Sequence, residues 1–166
     1  MPPLCGQMEV RKEMQHELES GELFYQTYGE SIRKLSRYIP WLTGKSGDDV
    51  SHKYSGEYGE SAIAFPVFDS TLMNFLKEAR ETNLIDRNYP YAYTGRSIRT
   101  KEAEERAIED AWLRDVDFLR GVFSKYVLEG MTKSNIWAEA VERKIFLNVL
   151  CKLKEIAEYY HGPLGE

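Results

Sequence analysis

Six stretches of this chain place apolar side chains at intervals of three and four residues, and almost none alternates them every second residue, so helices have to make most of the fold. The longest runs from Thr100 to about Glu129, with Ile108, Trp112, Val116, Leu119, Phe123 and Val127 as its stripe and Gly130 as its stop. A second stripe, Phe24, Tyr28, Ile32, Leu35, Ile39 and Leu42, is interrupted by Gly29 and predicts a helix stopping near Pro40. Asp69 is a good N-cap for a third, made of Leu72, Phe75, Leu76 and Ala79. A fourth holds Phe146, Val149, Leu150, Leu153, Ile156, Ala157 and Tyr160 and ends at His161-Gly162-Pro163. Two shorter helices complete the set: Val10, Met14 and Leu18, ending near Ser20-Gly21, and Ile136, Trp137, Ala140 and Val141, opened by Ser134. Ala62-Ile63-Ala64-Phe65, ending at Pro66, is the one extended candidate. The expected fold is therefore mainly α, an irregular bundle of five or six helices with at most one or two short strands. Residues 1–20 are expected to form an N-terminal extension with a short helix, and residues 21–166 a single helical domain.

Composition narrows the function more than it defines it. The 42% of hydrophobic residues is enough for a packed interior, and 166 residues leave little room for a second core. Lys and Arg number 22 against 27 Asp and Glu, a formal charge of −5 that disfavours a generic polyanion binder. Cys5 and Cys151 stand far apart with no Cys-x-x-Cys pair, which argues against a disulfide framework and a structural zinc. Cys151, between Val149, Leu150 and Leu153, is expected on the inner face of its helix. The first residues carry no basic then apolar signal, and the longest apolar run, Ala62 to Phe68, is far short of the roughly 20 residues that span a bilayer. A cytoplasmic protein with no membrane contact, no metal and no cofactor is the expectation.

The motif candidates are weak. Thr43-Gly44-Lys45-Ser46 ends like a phosphate-binding loop, yet that motif needs a glycine where Ile39 stands and a strand where the sequence predicts helix. Gly56-Glu57-Tyr58-Gly59 has the spacing of an RNA-binding turn, but Glu57 and Glu60 would repel phosphates. Both lie in Thr43–Glu60, expected to be a long polar loop. His16, His52 and His161 have no ligand or triad spacing. Glu102, Glu104, Glu105, Glu109, Asp110, Asp115 and Asp117 predict a solvated helix face, with Glu102/Arg106, Arg106/Asp110 and Asp110/Arg114 paired four residues apart. Ser134 to Leu153 has helix-turn-helix proportions, but Ile145, Phe146 and Leu147 occupy the positions that would meet bases, so two packed core helices are expected.

The segment from Arg87 to Arg99 is different in kind. Tyr89, Tyr91 and Tyr93 supply flat faces and Arg87, Arg96 and Arg99 forked donors, the residue types that dominate recognition hot spots, and no acidic residue interrupts them. These six form the candidate partner-binding site. The competing reading folds the tyrosines onto the core and pairs the arginines with the acidic start of the next helix.

Residues Ser31 to Ile156 resemble a family of small uncharacterised bacterial proteins, many encoded on mobile elements. The likeness rests on Ile39-Pro40-Trp41, Pro66-Val67-Phe68 leading into Phe75, Trp137-Ala138-Glu139-Ala140, Ile145-Phe146-Leu147 and Leu150-Cys151-Lys152-Leu153. It implies a shared fold more than a role, since these positions are mostly apolar and an arginine-rich stretch common in the family is absent from Tyr126–Asn135. The expected function is a non-enzymatic protein-binding module, with a host or defence protein as partner. Nucleic-acid binding through the Tyr/Arg segment or the C-terminal helix pair, an acidic DNA-mimic inhibitor, and an enzyme with an unrecognised site are the alternatives.

Overall fold

Gly21 shows how this chain uses small residues. A β-carbon there would sit 2.3 Å from the ring of Tyr160, so the glycine opens a seat for that ring and does not end a helix. In the computed structural model, which describes residues 5–54, 65–133 and 135–165, α1 accordingly runs unbroken through it, from Cys5 to Ser36. The stop expected at Ser20-Gly21 and the interruption at Gly29 are not there, and α1 crosses the boundary drawn between residues 20 and 21. Seven more α-helices follow among the described residues: α2 (Ile39–Thr43), α3 (Gly47–Val50), α4 (Ser70–Arg80), α5 (Lys101–Asp110), α6 (Val116–Glu129), α7 (Ile136–Glu142) and α8 (Ile145–His161). The expected mainly α fold is what the chain adopts.

Two strands, β1 (Ser51–Tyr54) and β2 (Phe65–Phe68), pair antiparallel with Ser51 opposite Phe68 and Tyr54 opposite Phe65. The polar segment expected as one loop thus holds α3 and β1, and its residues 55–60, with the Gly56/Gly59 turn and Glu57, lie outside the described residues, as do Ala62 to Ala64 and Ser134. Asp69 caps α4 as expected, its Oδ1 accepting the Thr71 and Leu72 N–H groups at 2.7 and 3.3 Å.

Two helix expectations need correction. Pro40 does not stop α1; it stands in the first turn of α2, where a missing N–H costs nothing. The stripe from Ile108 to Val127 belongs to two helices, because the chain leaves the helix at Ala111 and turns through Leu113–Asp115. Trp112 takes an extended backbone, its N–H donates to Asp115 Oδ2 at 3.0 Å, and its indole N–H donates to Tyr160 Oη at 3.1 Å. A side-chain cap and a half-buried indole bond together outweigh continuation of the helix. Asp110 and Arg114 therefore flank a break, and Asp115 takes Arg96 instead.

α8 runs antiparallel along α1, from Lys144 near Leu42 to Tyr160 over Gly21. Its buried arc is Ile145, Phe146, Val149, Leu150, Leu153, Ile156 and Ala157, which leaves Cys151 exposed on the other side, contrary to expectation. Ile145 and Phe146 are wholly buried, as two packed core helices require. The core centres on α4, α6 and α8, where Phe75, Phe123 and Phe146 meet edge to face with centroids 5.3–6.1 Å apart.

The corner between α7 and α8 is held by Lys144, the one non-glycine residue with positive φ (59°) among the described residues. Its ammonium donates to the carbonyls of Leu42, Thr43 and Lys45 at 3.2, 3.2 and 2.6 Å, closing the carbonyl end of α2 with a charge. Lys144→Ala is expected to destabilise by about 2 kcal/mol, since it loses these bonds and keeps the left-handed backbone. Lys144→Gly should cost about 1 kcal/mol less, because glycine adopts that φ without penalty. Urea denaturation of the two variants checks the difference, and equal losses would show that the backbone is unstrained.

Candidate functional site

α5 begins at Thr100, whose hydroxyl accepts the Ala103 N–H at 3.1 Å. One turn on, Glu104 stands four residues before Ile108, on the face that the helix turns to the core, and it is only 4% exposed. It is therefore not part of a solvated face as expected; Glu105 is half-buried and Asp115 is ion-paired, while Glu102, Glu109, Asp110 and Asp117 remain exposed. A carboxylate at that depth needs partners, and Glu104 has three strong ones. Tyr93 Oη donates to Oε2 at 3.0 Å, Tyr126 Oη donates to Oε1 at 2.5 Å, and Arg143 Nη2 donates to Oε1 at 3.2 Å. Arg143 completes its fork by donating from Nε to Glu105 at 3.0 Å and from Nη1 to Tyr126 Oη at 2.7 Å.

Burial, and next the charge of and bond to Glu104, push the Tyr93 hydroxyl far above the ordinary tyrosine range. Tyr126 moves the same way, from burial and then its bond to Glu104, with Arg143 opposing. Burial works against the charge of Arg143, but Tyr126, Glu105 and Glu104 outweigh it and hold the guanidinium above its usual value. Each hydroxyl keeps its proton near neutrality and directs it to Glu104.

Above this network lies a cleft of 320 Å³, lined by the basic side chains of Arg99, Lys101, Lys125 and Arg143 and by the carboxylates of Glu104 and Glu139. Lys101 pairs with Glu139, and Lys125 stands 3.7 Å from Glu104 with its ammonium over the Tyr93 ring at 5.0 Å. Arg99 has no ion pair among the described residues.

The six candidate residues divide around this cleft. Tyr89 to Tyr93 form a 3₁₀ turn that packs on α6, where Gly121 leaves room for Ala92; a β-carbon at Gly121 would meet that of Ala92 at 2.3 Å. Tyr93 points inward to Glu104 and meets Phe118 edge to face. Arg96 lies over the Phe118 ring at 4.5 Å and pairs with Asp115 at 3.0 Å, so its partner is beyond α5 and not at that helix's acidic start. Tyr89 is half-buried, and burial followed by the charge of Glu129 raises its hydroxyl. Arg87, Tyr91 and Arg99 remain exposed, Tyr91 at 76%. Arg99 and Tyr93 line the cleft together, while Arg96 is held on the Phe118 and Asp115 side.

Glu104 as a buried group, and with it Lys125, Tyr126 and Arg143, is absent from the candidates that the sequence offers. One signal was present: Glu104 extends the row of Ile108 toward the N-terminus by a single turn. The histidines are exposed, His161 stacking on Tyr25 at 3.5 Å, and no cluster able to hold a metal ion occurs among the described residues. No helix of the described residues is long and apolar enough to cross a membrane. No family model, no curated protein and no solved structure matches this chain.

Proposed function

We propose that this chain is a non-enzymatic protein-binding module whose docking face is the tyrosine turn and the cleft beside it, and that it receives an acidic segment of a partner protein. The supporting observation is the cleft's charge: four basic side chains face two carboxylates in a chain whose net charge is −5. Arg99 brings a guanidinium not committed to an ion pair among the described residues, and Arg87 and Tyr91, outside the cleft lining, are exposed and offer a second fork and a flat ring. The network beneath holds Lys125 and Arg143 in place, so an incoming carboxylate meets charges that need little ordering. The resemblance to bacterial proteins borne on mobile elements directs the search for the partner toward host or defence proteins.

The test is fluorescence anisotropy with a labelled glutamate-rich dodecapeptide and, in parallel, a labelled single-stranded oligonucleotide. The peptide is expected to bind, and the triple variant R87A/Y91A/R99A to bind it about tenfold more weakly with an unchanged melting temperature, since all three side chains are exposed. Equal binding by the variant would remove this face as the site. Preference for the oligonucleotide, with a steep loss on adding salt, would replace the proposal with nucleic-acid binding.

A further inference from the structure

On α1 the buried positions are Gly21, Phe24, Gly29, Ile32 and Leu35, and all belong to the part that α8 and its neighbours cover. Toward the N-terminus the cover ends at Glu17, which accepts a hydrogen bond from Tyr160, and every residue from Gly6 to Glu19 is exposed. The apolar row does not end there. Leu18, Met14 and Val10 continue it at steps of four residues while 55%, 58% and 54% exposed. A helix this long and this bare is marginal in water by itself, so its apolar face calls for a partner.

The order of charges says which partner fits. Arg11 and Glu17 lie three residues either side of Met14, and Val10 and Leu18 lie four either side. These positions share one face of the helix. A two-fold axis at Met14 therefore sets Arg11 against Glu17 of a second copy, twice, with Val10 against Leu18 and Met14 against itself. The like-charged pair that the axis also relates, Glu9 and Glu19, lies five positions out and about 140° round the helix from Met14, off the contact. A parallel pair would instead oppose Arg11 to Arg11 and Glu17 to Glu17.

We propose that the projecting half of α1 pairs antiparallel with α1 of a second copy of this chain, with the two-fold axis at Met14. This surface is separate from the cleft, so either assignment stands without the other. A contact this short belongs at the small end of stable interfaces, and dissociation in the micromolar range is expected.

Sedimentation equilibrium of the whole chain tests it. A monomer–dimer equilibrium is expected, abolished by M14E with the melting temperature of the dilute monomer unchanged. R11E should weaken the dimer about tenfold by setting Glu against Glu17, and R11E/E17R should restore it. Restoration separates a second copy from any other occupant of the stripe, which would lose binding in both variants. In a C5S/C151S background, V10C chains mixed with L18C chains should cross-link to each other under mild oxidation. A chain that stays monomeric to about 100 µM, well above the expected range, a double variant that fails to restore the dimer, or V10C chains that cross-link among themselves would each overturn the arrangement.

Discussion

Glu104→Ala is expected to lower stability by roughly 3–5 kcal/mol, because it leaves two buried tyrosine hydroxyls without their acceptor and takes from Arg143, whose side chain is 12% exposed, one of its carboxylate partners, leaving it Glu105 and Glu139. In a chain of this size that corresponds to roughly 10 °C in the melting temperature. The reverse truncation, Arg143→Met, should cost a similar amount, leaving the buried carboxylate with the two tyrosines and the more distant Lys125. Removing both in E104L/R143M should cost well under the total of the singles, since two buried charges then leave together. A double-mutant cycle by thermal denaturation measures this coupling. Additive single effects would mean that the two groups do not act as a pair, and the cleft would lose the base that holds Lys125 and Arg143 in position.

Phe146→Ala should be comparably severe, about 3–5 kcal/mol, for an apolar reason. Phe146 is fully buried and meets Phe75 of α4 at 5.3 Å and Phe123 of α6 at 5.8 Å, so its ring is the point where three helices share one contact. Truncation leaves a cavity that these rings cannot collapse to fill, because each is already held at its edge by the other. A fall in the urea midpoint with an unchanged slope is the expected result. Phe146→Leu, which keeps most of the volume, should cost markedly less, and equal losses in the two variants would show that the site repacks freely.

The contrast between these two sites shows what a sequence makes legible. Phe146 announces itself by spacing: it stands with Val149, Leu150 and Leu153 on one arc, and that arc is the one the helix buries. Asp69 does so by chemistry, a short acid before an apolar periodic run, and it caps α4. Local rules of this kind placed most helices. Glu104 is illegible to them, since its burial depends on Arg143 and Tyr126, 39 and 22 residues away in the chain. Trp112 fell on a perfect i, i+4 row with Ile108 and Val116, yet its indole bonds to Tyr160, 48 residues on, and the helix yields there. Gly21 looked like a stop for the same reason: the ring that occupies its open side comes from α8. Of the six candidate residues, sequence could identify the unusual composition but not the division of labour, because inward Tyr93 and outward Tyr91 differ only in which side of a 3₁₀ turn they occupy.

The antiparallel packing of α8 on α1 also sets a timetable for biosynthesis. α1 leaves the ribosome early, but the helix that covers Phe24, Ile32 and Leu35 is encoded more than a hundred residues later, a delay on the order of ten seconds at ordinary rates of translation. Throughout that interval the nascent chain displays an apolar stripe that nothing already synthesised can fully cover. A transcript truncated before residue 145 would fix the chain in that exposed condition.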